Sequence, residues 1–126
     1  MRSAGLSMAA SRKATAAAPV NVLVVDDHED NRTALRAVLA PVGYHLVEAR
    51  SSAAALLRLL EEEFAVLLID VVMPGMNGFE LAAAIKERER TAAVPIVFLT
   101  AEATDLTLVY KGYSVGAVHY LVKPLV

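Results

Sequence analysis

The 126-residue sequence fits one folded domain, because single domains most often contain about 100 to 150 residues. An apolar fraction of 56 % with 21 % charged residues excludes a mainly disordered chain. No apolar run approaches the roughly 18 residues that a membrane span needs, and the absence of cysteine excludes disulfides and thiolate metal sites. Three of the 12 basic side chains lie in residues 1–19, which contain no acid, so residues 20–126 have nine basic and 14 acidic side chains. This excess of acidic side chains disfavours nucleic acid as a partner of this domain alone.

Residues 1–19 are rich in Ala and Ser and lack an apolar period, which predicts a flexible leader before a domain that begins at Val20. Their Arg and Ser content without acids leaves an organelle transit peptide as an alternative. No secretory signal sequence is visible. We therefore expect a cytoplasmic protein without membrane contact.

From Val20 onward, short apolar runs typical of strands alternate with longer amphipathic segments typical of helices. The predicted elements, in chain order, are a strand at 22–25, a helix at 31–39, a strand at 44–48, a helix from 51 or 52 to 63, a strand at 65–69, a helix at 79–90, a strand at 96–99, a helix at 102–113 and a strand at 118–122. This alternation requires parallel strands joined by crossover connections. The expected fold is α/β, with a doubly wound five-stranded parallel sheet whose ligands bind beyond the carboxyl ends of the strands.

Polar side chains follow four of the predicted strands: Asp26 and Asp27, then Asp70, Thr100 and Lys123. Because parallel strands end at one edge, we expect these five groups to converge. Three neighbouring carboxylates repel one another unless a cation lies among them, and Mg²⁺ is the ion that suits carboxylates, waters and a phosphate group. Taken singly, each residue has an ordinary explanation as a cap, a turn residue or a solvated side chain. Their joint placement indicates a functional site.

Four segments of the sequence resemble the receiver domains of bacterial two-component response regulators. They are VLVVDDHEDN (22–31), LLIDVVMPGMNGFEL (67–81), PIVFLTA (95–101) and GAVHYLVKPL (116–125). The resemblance covers Val20 to Val126 and implies the flavodoxin-like strand order 2-1-3-4-5. It also implies a signalling domain rather than a turnover enzyme.

The resemblance implies a role for each residue near the acids. Asp70 would accept a phosphoryl group from the phosphohistidine of a sensor histidine kinase or a histidine phosphotransfer protein. Asp27 would bind Mg²⁺ directly and Asp26 through water, while Asp70 and the backbone carbonyl of Val72 would complete the protein ligands. Mn²⁺ is expected to substitute for Mg²⁺.

The last two polar groups would act on the phosphoryl oxygens. Thr100 would donate a hydrogen bond to one oxygen and Lys123 would pair with another. By the same resemblance, Thr100 and Tyr120 form a conformational switch at the face of the fourth helix and the fifth strand. Pro124 would be a cis proline that fixes the loop carrying Lys123.

The pattern normally ends with a fifth helix, which is missing from this chain as given. We expect either a shortened chain, one part of a longer protein, or a partner that covers the sheet face beside the first helix. That exposed apolar face favours a homo-oligomer.

Three other functions remain as alternatives. A dehalogenase-type phosphatase also uses an aspartate nucleophile, but there the nucleophile strand comes first and a second aspartate follows two residues later, where this chain has Val72. A degenerate receiver that only binds partners usually lacks one of the five polar groups, and all five are present. A nucleotide-binding fold would need a glycine-rich phosphate loop, which follows no strand here. His28 and His119 are not expected to bind metal or to carry phosphate.

Overall fold

The computed structural model describes residues 20–100 and 119–122, and for Thr100, His119, Tyr120 and Val122 the description covers the backbone. The predicted leader, the predicted helix at 102–113 and the Lys123–Pro124 loop lie outside the described residues.

Strands and helices alternate along the described chain, as the sequence predicts. The strands are β1 (Val20–Val25), β2 (Tyr44–Ala49), β3 (Val66–Asp70), β4 (Ile96–Thr100) and β5 (His119–Val122). The helices are α1 (Glu29–Leu39), α2 (Ser52–Glu61) and α3 (Gly78–Glu87), with a short 3₁₀ helix, Ala40–Val42, after α1. All five strands pair in parallel in the order β2-β1-β3-β4-β5. The predicted doubly wound sheet and its strand order are confirmed.

The central strands are buried on both faces, which explains why they are continuous apolar runs in the sequence. One face packs mainly against α2 and α3, and its buried strand residues are Leu23, Val25, Val47, Ala49, Leu67, Ile69, Ile96 and Phe98. The other face packs against Leu35 of α1, and its buried strand residues are Val22, Val24, Leu68 and Leu99. These buried side chains pack the helices against both faces of the sheet and so hold in place the loops that follow its carboxyl edge.

An apolar groove of about 460 Å³ lies on the α1 side of the sheet. Its lining residues come from α1 and four of the strands: Val20, Val22, Leu35, Val38, Leu39, Tyr44, Val66, Leu68 and Leu121. Among the residues that the structure describes, Val38 is 50 % exposed and Leu121 is 39 % exposed. The groove is therefore a partly exposed apolar surface on the α1 side of the sheet.

Helix ends differ from the predicted ones where side chains satisfy the backbone. Ser51 caps α2 as expected, because its hydroxyl accepts a hydrogen bond from the Ala54 amide at 3.1 Å. Helix α3 ends at Glu87 rather than at Arg90, since Arg88 already has extended dihedral angles. The Thr91 hydroxyl donates to the Ile85 carbonyl at 2.7 Å and so satisfies one acceptor at this helix end.

Candidate functional site

The register of the sheet brings three aspartates together at one edge. Val25, the last residue of β1, pairs with Ile69 of β3, so Asp26 and Asp70 follow at the same level on neighbouring strands. Neighbouring strands lie about 4.8 Å apart, and one carboxylate oxygen from each of Asp26, Asp27 and Asp70 lies within 4.8 Å of the others. The convergence of the acids that the sequence predicts is therefore present.

The acids are held at the edge by short backbone contacts. Asp26 is fully buried and Asp70 is 2 % exposed, whereas a quarter of the Asp27 side chain is exposed. The Asp26 amide donates to the Ala49 carbonyl at 3.0 Å, and Asp26 Oδ1 accepts from the His28 amide at 2.9 Å. In this turn the Asp26 carboxylate is fixed by the backbone amide two residues on.

The donor set fits a hard divalent cation. Carboxylate oxygens are the ligands that Mg²⁺ prefers, and three of them lie within the span that one ion and its ligands occupy. Without a cation, two almost fully buried carboxylates beside a third would repel one another in a low-dielectric environment. The carboxylates of this cluster therefore offer ligands that fit a hard divalent cation.

The loop between Asp70 and α3 is built around close backbone contacts. The Val72 amide donates to Asp70 Oδ1 at 3.2 Å, which places the Val72 backbone next to this carboxylate. The Gly78 amide donates to the Val71 carbonyl at 3.0 Å and closes the loop. Gly75 has a φ of +74°, a conformation that glycine adopts without strain. The Val72 side chain is 74 % exposed and offers no polar atom near the acids.

Gly78 is the point of closest approach between α3 and the strand that carries Asp70. A Cβ atom at residue 78 would lie 2.2 Å from the Asp70 carbonyl oxygen and 2.9 Å from Val71 Cα. Helix α3 begins here with a capping box, in which Asn77 Oδ1 accepts from the Glu80 amide and Glu80 Oε1 accepts from the Asn77 amide, both at 2.9 Å. The sequence shows the turn residues but not this contact.

An ion-pair network behind the acids was not anticipated from the sequence. Arg32 of α1 donates to the Asp26 carbonyl at 2.7 Å and to Glu48 Oε1 of β2 at 3.1 Å. Arg36 also donates to Glu48, through Nε at 2.8 Å and through its terminal nitrogen. The guanidinium of Arg32 therefore ties the end of β1 to β2. The arginines occur at helical spacing in the sequence, but only the packing of α1 reveals their partner.

A second tie holds the loop after β3. The Ser52 hydroxyl at the start of α2 donates to the Met76 carbonyl at 2.9 Å, and Ser52 is buried. The sequence suggests Ser51 and Ser52 as equivalent caps. In the structure, Ser51 caps the helix and Ser52 binds the loop that precedes α3.

The remaining predicted site residues are placed by their backbones or lie outside the described residues. Thr100 ends β4 one position beyond Leu99, which pairs with Asp70, so its backbone reaches the same edge as the acids. Thr100 pairs with Val122, the residue before Lys123, while Tyr120 pairs with Phe98 inside the sheet. Lys123 and the switch between Thr100 and Tyr120 remain predictions.

The side chain of His28 lies beside the acids that precede it in the sequence. Its Nδ1 is 3.2 Å from Asp27 Oδ1 and 3.5 Å from Asp26 Oδ1, and it belongs to the same group of ligand atoms within 4.8 Å. The sequence places His28 directly after the aspartate pair, and the prediction that it does not bind metal remains untested.

Comparison with known proteins agrees with the fold and with the acidic site. The family model described as "Response regulator receiver domain" matches residues 22–126. Protein PilH of Pseudomonas aeruginosa is 31 % identical over 104 residues, which are 82 % of this chain and 85 % of PilH. Transcriptional regulatory protein ResD of Bacillus subtilis is 36 % identical over 103 residues, which are 82 % of this chain and 41 % of ResD. The chain thus spans less than half the length of some of the curated relatives it matches.

Solved structures show the same architecture. The chemotaxis protein CheY4 of Vibrio cholerae superposes with a TM-score of 0.81 at 34 % identity, over 86 % of this chain and 90 % of CheY4. A response regulator receiver protein from Pseudomonas putida superposes with a TM-score of 0.79 at 32 % identity, over 87 % of this chain and 90 % of that protein. Within the described residues, no helix has the length and apolar character to cross a bilayer. The chain belongs to the receiver domain family of two-component response regulators.

Proposed function

We propose that this receiver accepts a phosphoryl group on Asp70 from the phosphohistidine of a sensor histidine kinase or histidine phosphotransfer protein, in the cytoplasm. The observation that carries the proposal is the position of Asp70, 2 % exposed at the carboxyl end of β3, with its oxygen within 4.8 Å of ligand atoms of Asp26 and Asp27. A carboxylate in that position is the nucleophile that the acidic edge of the sheet presents to an incoming phosphoryl group.

The transfer requires little more than alignment and charge neutralisation. A carboxylate oxygen of Asp70 bonds to phosphorus as the phosphorus–nitrogen bond of the donor histidine breaks, and the released imidazole keeps its electron pair. Asp26, Asp27, Asp70 and the Val72 carbonyl would hold Mg²⁺, for which Mn²⁺ would substitute. Bound there, the ion supplies positive charge next to the transferring phosphoryl oxygens.

Thr100 and Lys123 are proposed to complete the oxygen contacts. Thr100 would donate a hydrogen bond and Lys123 an ion pair, so that each phosphoryl oxygen has a partner. Movement of Thr100 toward the new dianion, followed by the ring of Tyr120, would change the surface beside β5. This surface change is the proposed output, and catalysis beyond self-modification is not expected.

The direct test is acetyl phosphate labelling with Mg²⁺ followed by intact-mass spectrometry. Wild type is expected to gain about 80 Da, one phosphoryl group, and Asp70→Asn to gain none. Asp30→Asn is the matched control, because Asp30 is an exposed acid in the first turn of α1. An adduct of equal yield in Asp70→Asn would contradict the proposal. Sustained turnover of a phosphomonoester would instead favour the phosphatase alternative.

The apolar groove beside α1 supports a proposal about assembly. Val38 and Leu121 expose apolar surface to solvent in the described part of the chain, and burial against a second copy would remove it from water. We expect sedimentation velocity to show a dimer at micromolar concentration and Val38→Glu to shift it toward monomer. A wild-type monomer over that range would refute this assembly.

A further inference from the structure

His28 occupies a helix-capping position without capping the helix. It is the N-cap residue of α1, with φ −99° and ψ 120°, and its side chain makes no cap hydrogen bond. This position is ordinarily taken by Ser, Thr, Asp or Asn, whose oxygens accept from the first helical amides. The ring is instead turned toward the aspartates, although two thirds of it is exposed to solvent. The contact with the acids therefore accounts for the ring orientation.

The distances around His28 match those between ligands of one metal ion. Two ligand atoms about 2.1 Å from a shared ion, at octahedral or tetrahedral angles, lie about 3.0 to 3.4 Å apart. His28 Nδ1 is 3.2 Å from Asp27 Oδ1 and 3.5 Å from Asp26 Oδ1. Asp70 also offers an oxygen within 4.8 Å of the other three ligand atoms. Four donor atoms of two chemical types thus lie within 4.8 Å of one another.

The nitrogen donor changes which ions the cluster favours. Mg²⁺ prefers oxygen ligands and retains its waters, so an added imidazole contributes little to its binding. Zn²⁺ and Co²⁺ accept imidazole nitrogen readily and bind the same N and O donors more tightly. An all-oxygen cluster and a cluster with His28 therefore differ mainly in their affinity for these borderline ions.

We propose that His28 Nδ1 is a ligand of the acidic site, which makes the site bind Zn²⁺ or Co²⁺ together with Asp26, Asp27 and Asp70. The proposal rests on the proposed function in that it uses the same three carboxylates. It requires the neutral ring with its proton on Nε2, since the Nδ1 lone pair faces the metal. The competing arrangement is a Nδ1–H group that donates a hydrogen bond to Asp27, which binds no metal through the ring.

Calorimetric titration of untagged protein with ZnCl₂ and, separately, MgCl₂ tests the proposal. The variants are His28→Ala and His45→Ala, because His45 is an exposed histidine near the opposite end of the sheet, paired with Asn21. We expect His28→Ala to weaken Zn²⁺ binding tenfold or more, equivalent to about 1.4 kcal/mol, and to change Mg²⁺ binding less than about twofold. His45→Ala should leave both affinities unchanged. Urea midpoints of all three proteins verify that each is folded.

The outcomes separate this proposal from the proposed function. Equal Zn²⁺ affinities in wild type and His28→Ala, with Mg²⁺ binding and acetyl phosphate labelling intact, would overturn the role of His28 alone. Wild type that binds neither ion and takes no phosphoryl group would overturn the proposed function, and the His28 proposal with it. A Zn²⁺-dependent shift of the His28 ring resonances in NMR spectra, absent when Mg²⁺ is added, would support nitrogen ligation. Shifts of the His45 ring alone would contradict it.

Discussion

Replacement of Gly78 by alanine tests whether the contact between α3 and β3 controls the position of Asp70. A Cβ at residue 78 would lie 2.2 Å from the Asp70 carbonyl oxygen, and ordinary van der Waals contact begins at 3.4 Å. Relief of this overlap therefore requires a movement of about 1.2 Å, which must come from the start of α3 or from the end of β3. Both are backbone segments, so no side-chain rotation relieves it.

The sign of the stability change distinguishes this contact from ordinary helix propensity. Alanine in place of a helical glycine otherwise stabilises a protein by about 0.5 to 1 kcal/mol. Overpacking of a rigid contact costs about 1 to 3 kcal/mol. We expect Gly78→Ala to lower the free energy of unfolding by about 1 to 2 kcal/mol in urea titrations followed by circular dichroism.

The displacement should also slow the phosphorylation of Asp70. A misplacement of about 1 Å in a reacting group costs on the order of 100-fold in rate, so the acetyl phosphate labelling rate of Gly78→Ala should fall by one to two orders of magnitude. Gly43→Ala is the matched control: Gly43 has a φ of +99° and no atom within 4 Å of the added Cβ. That variant should lose about 1 kcal/mol through backbone strain and label at the wild-type rate. A Gly78→Ala protein as stable as wild type, with an unchanged labelling rate, would refute the reasoning.

Three further predictions concern side chains around this site and at the end of α3. Arg32→Met should lower the free energy of unfolding by about 2 to 3 kcal/mol, because the hydrogen bonds from its guanidinium to the Asp26 carbonyl and to Glu48 are lost. A double-mutant cycle with Glu48→Gln should show coupling between the two residues, and additive effects would contradict the network. Burial lowers the pKa of Lys86 in the folded protein below its ordinary 10.5. Between the lowered pKa and 10.5 the unfolded chain therefore binds more protons than the folded protein, and the free energy of unfolding rises with pH in that window. Urea titrations of Lys86→Met across the window should lack this rise, and an identical pH profile would refute it. The phosphoryl group on Asp70 should survive manual desalting, because the exposed Val72 offers no polar group to position an attacking water; a half-life of seconds by intact mass would contradict this.

The local pattern of the chain is sufficient to predict most of the fold. Residues 22–25 of β1 are an apolar run rich in valine and buried on both faces, and such a run is readable as a central parallel strand without tertiary information. The end of α3 is less predictable, since the charged residues 86–90 that follow Ile85 are all compatible with a helix and mark no stop. In the structure the Thr91 hydroxyl donates to the Ile85 carbonyl, and the helix ends at Glu87. Helix ends depend on which side chain reaches a carbonyl, and sequence spacing alone does not show this.

The sequence by itself determined that Asp26, Asp27 and Asp70 follow two strand-like apolar runs, because strand periodicity is a local property of the chain. The pairing of these two strands as neighbours was implied by the family resemblance and is seen in the tertiary structure. Only the tertiary structure decided how those acids are held. Arg32 and Glu48 are 16 residues apart and meet because α1 packs beside β2, and Gly78 approaches Asp70 because α3 folds back over the end of its strand. The His28 ring contacts Asp26 and Asp27, its neighbours in the chain, and the pairing of β3 with β1 adds Asp70 to the same group. Contacts between distant segments arise from packing, which a linear pattern constrains but does not specify.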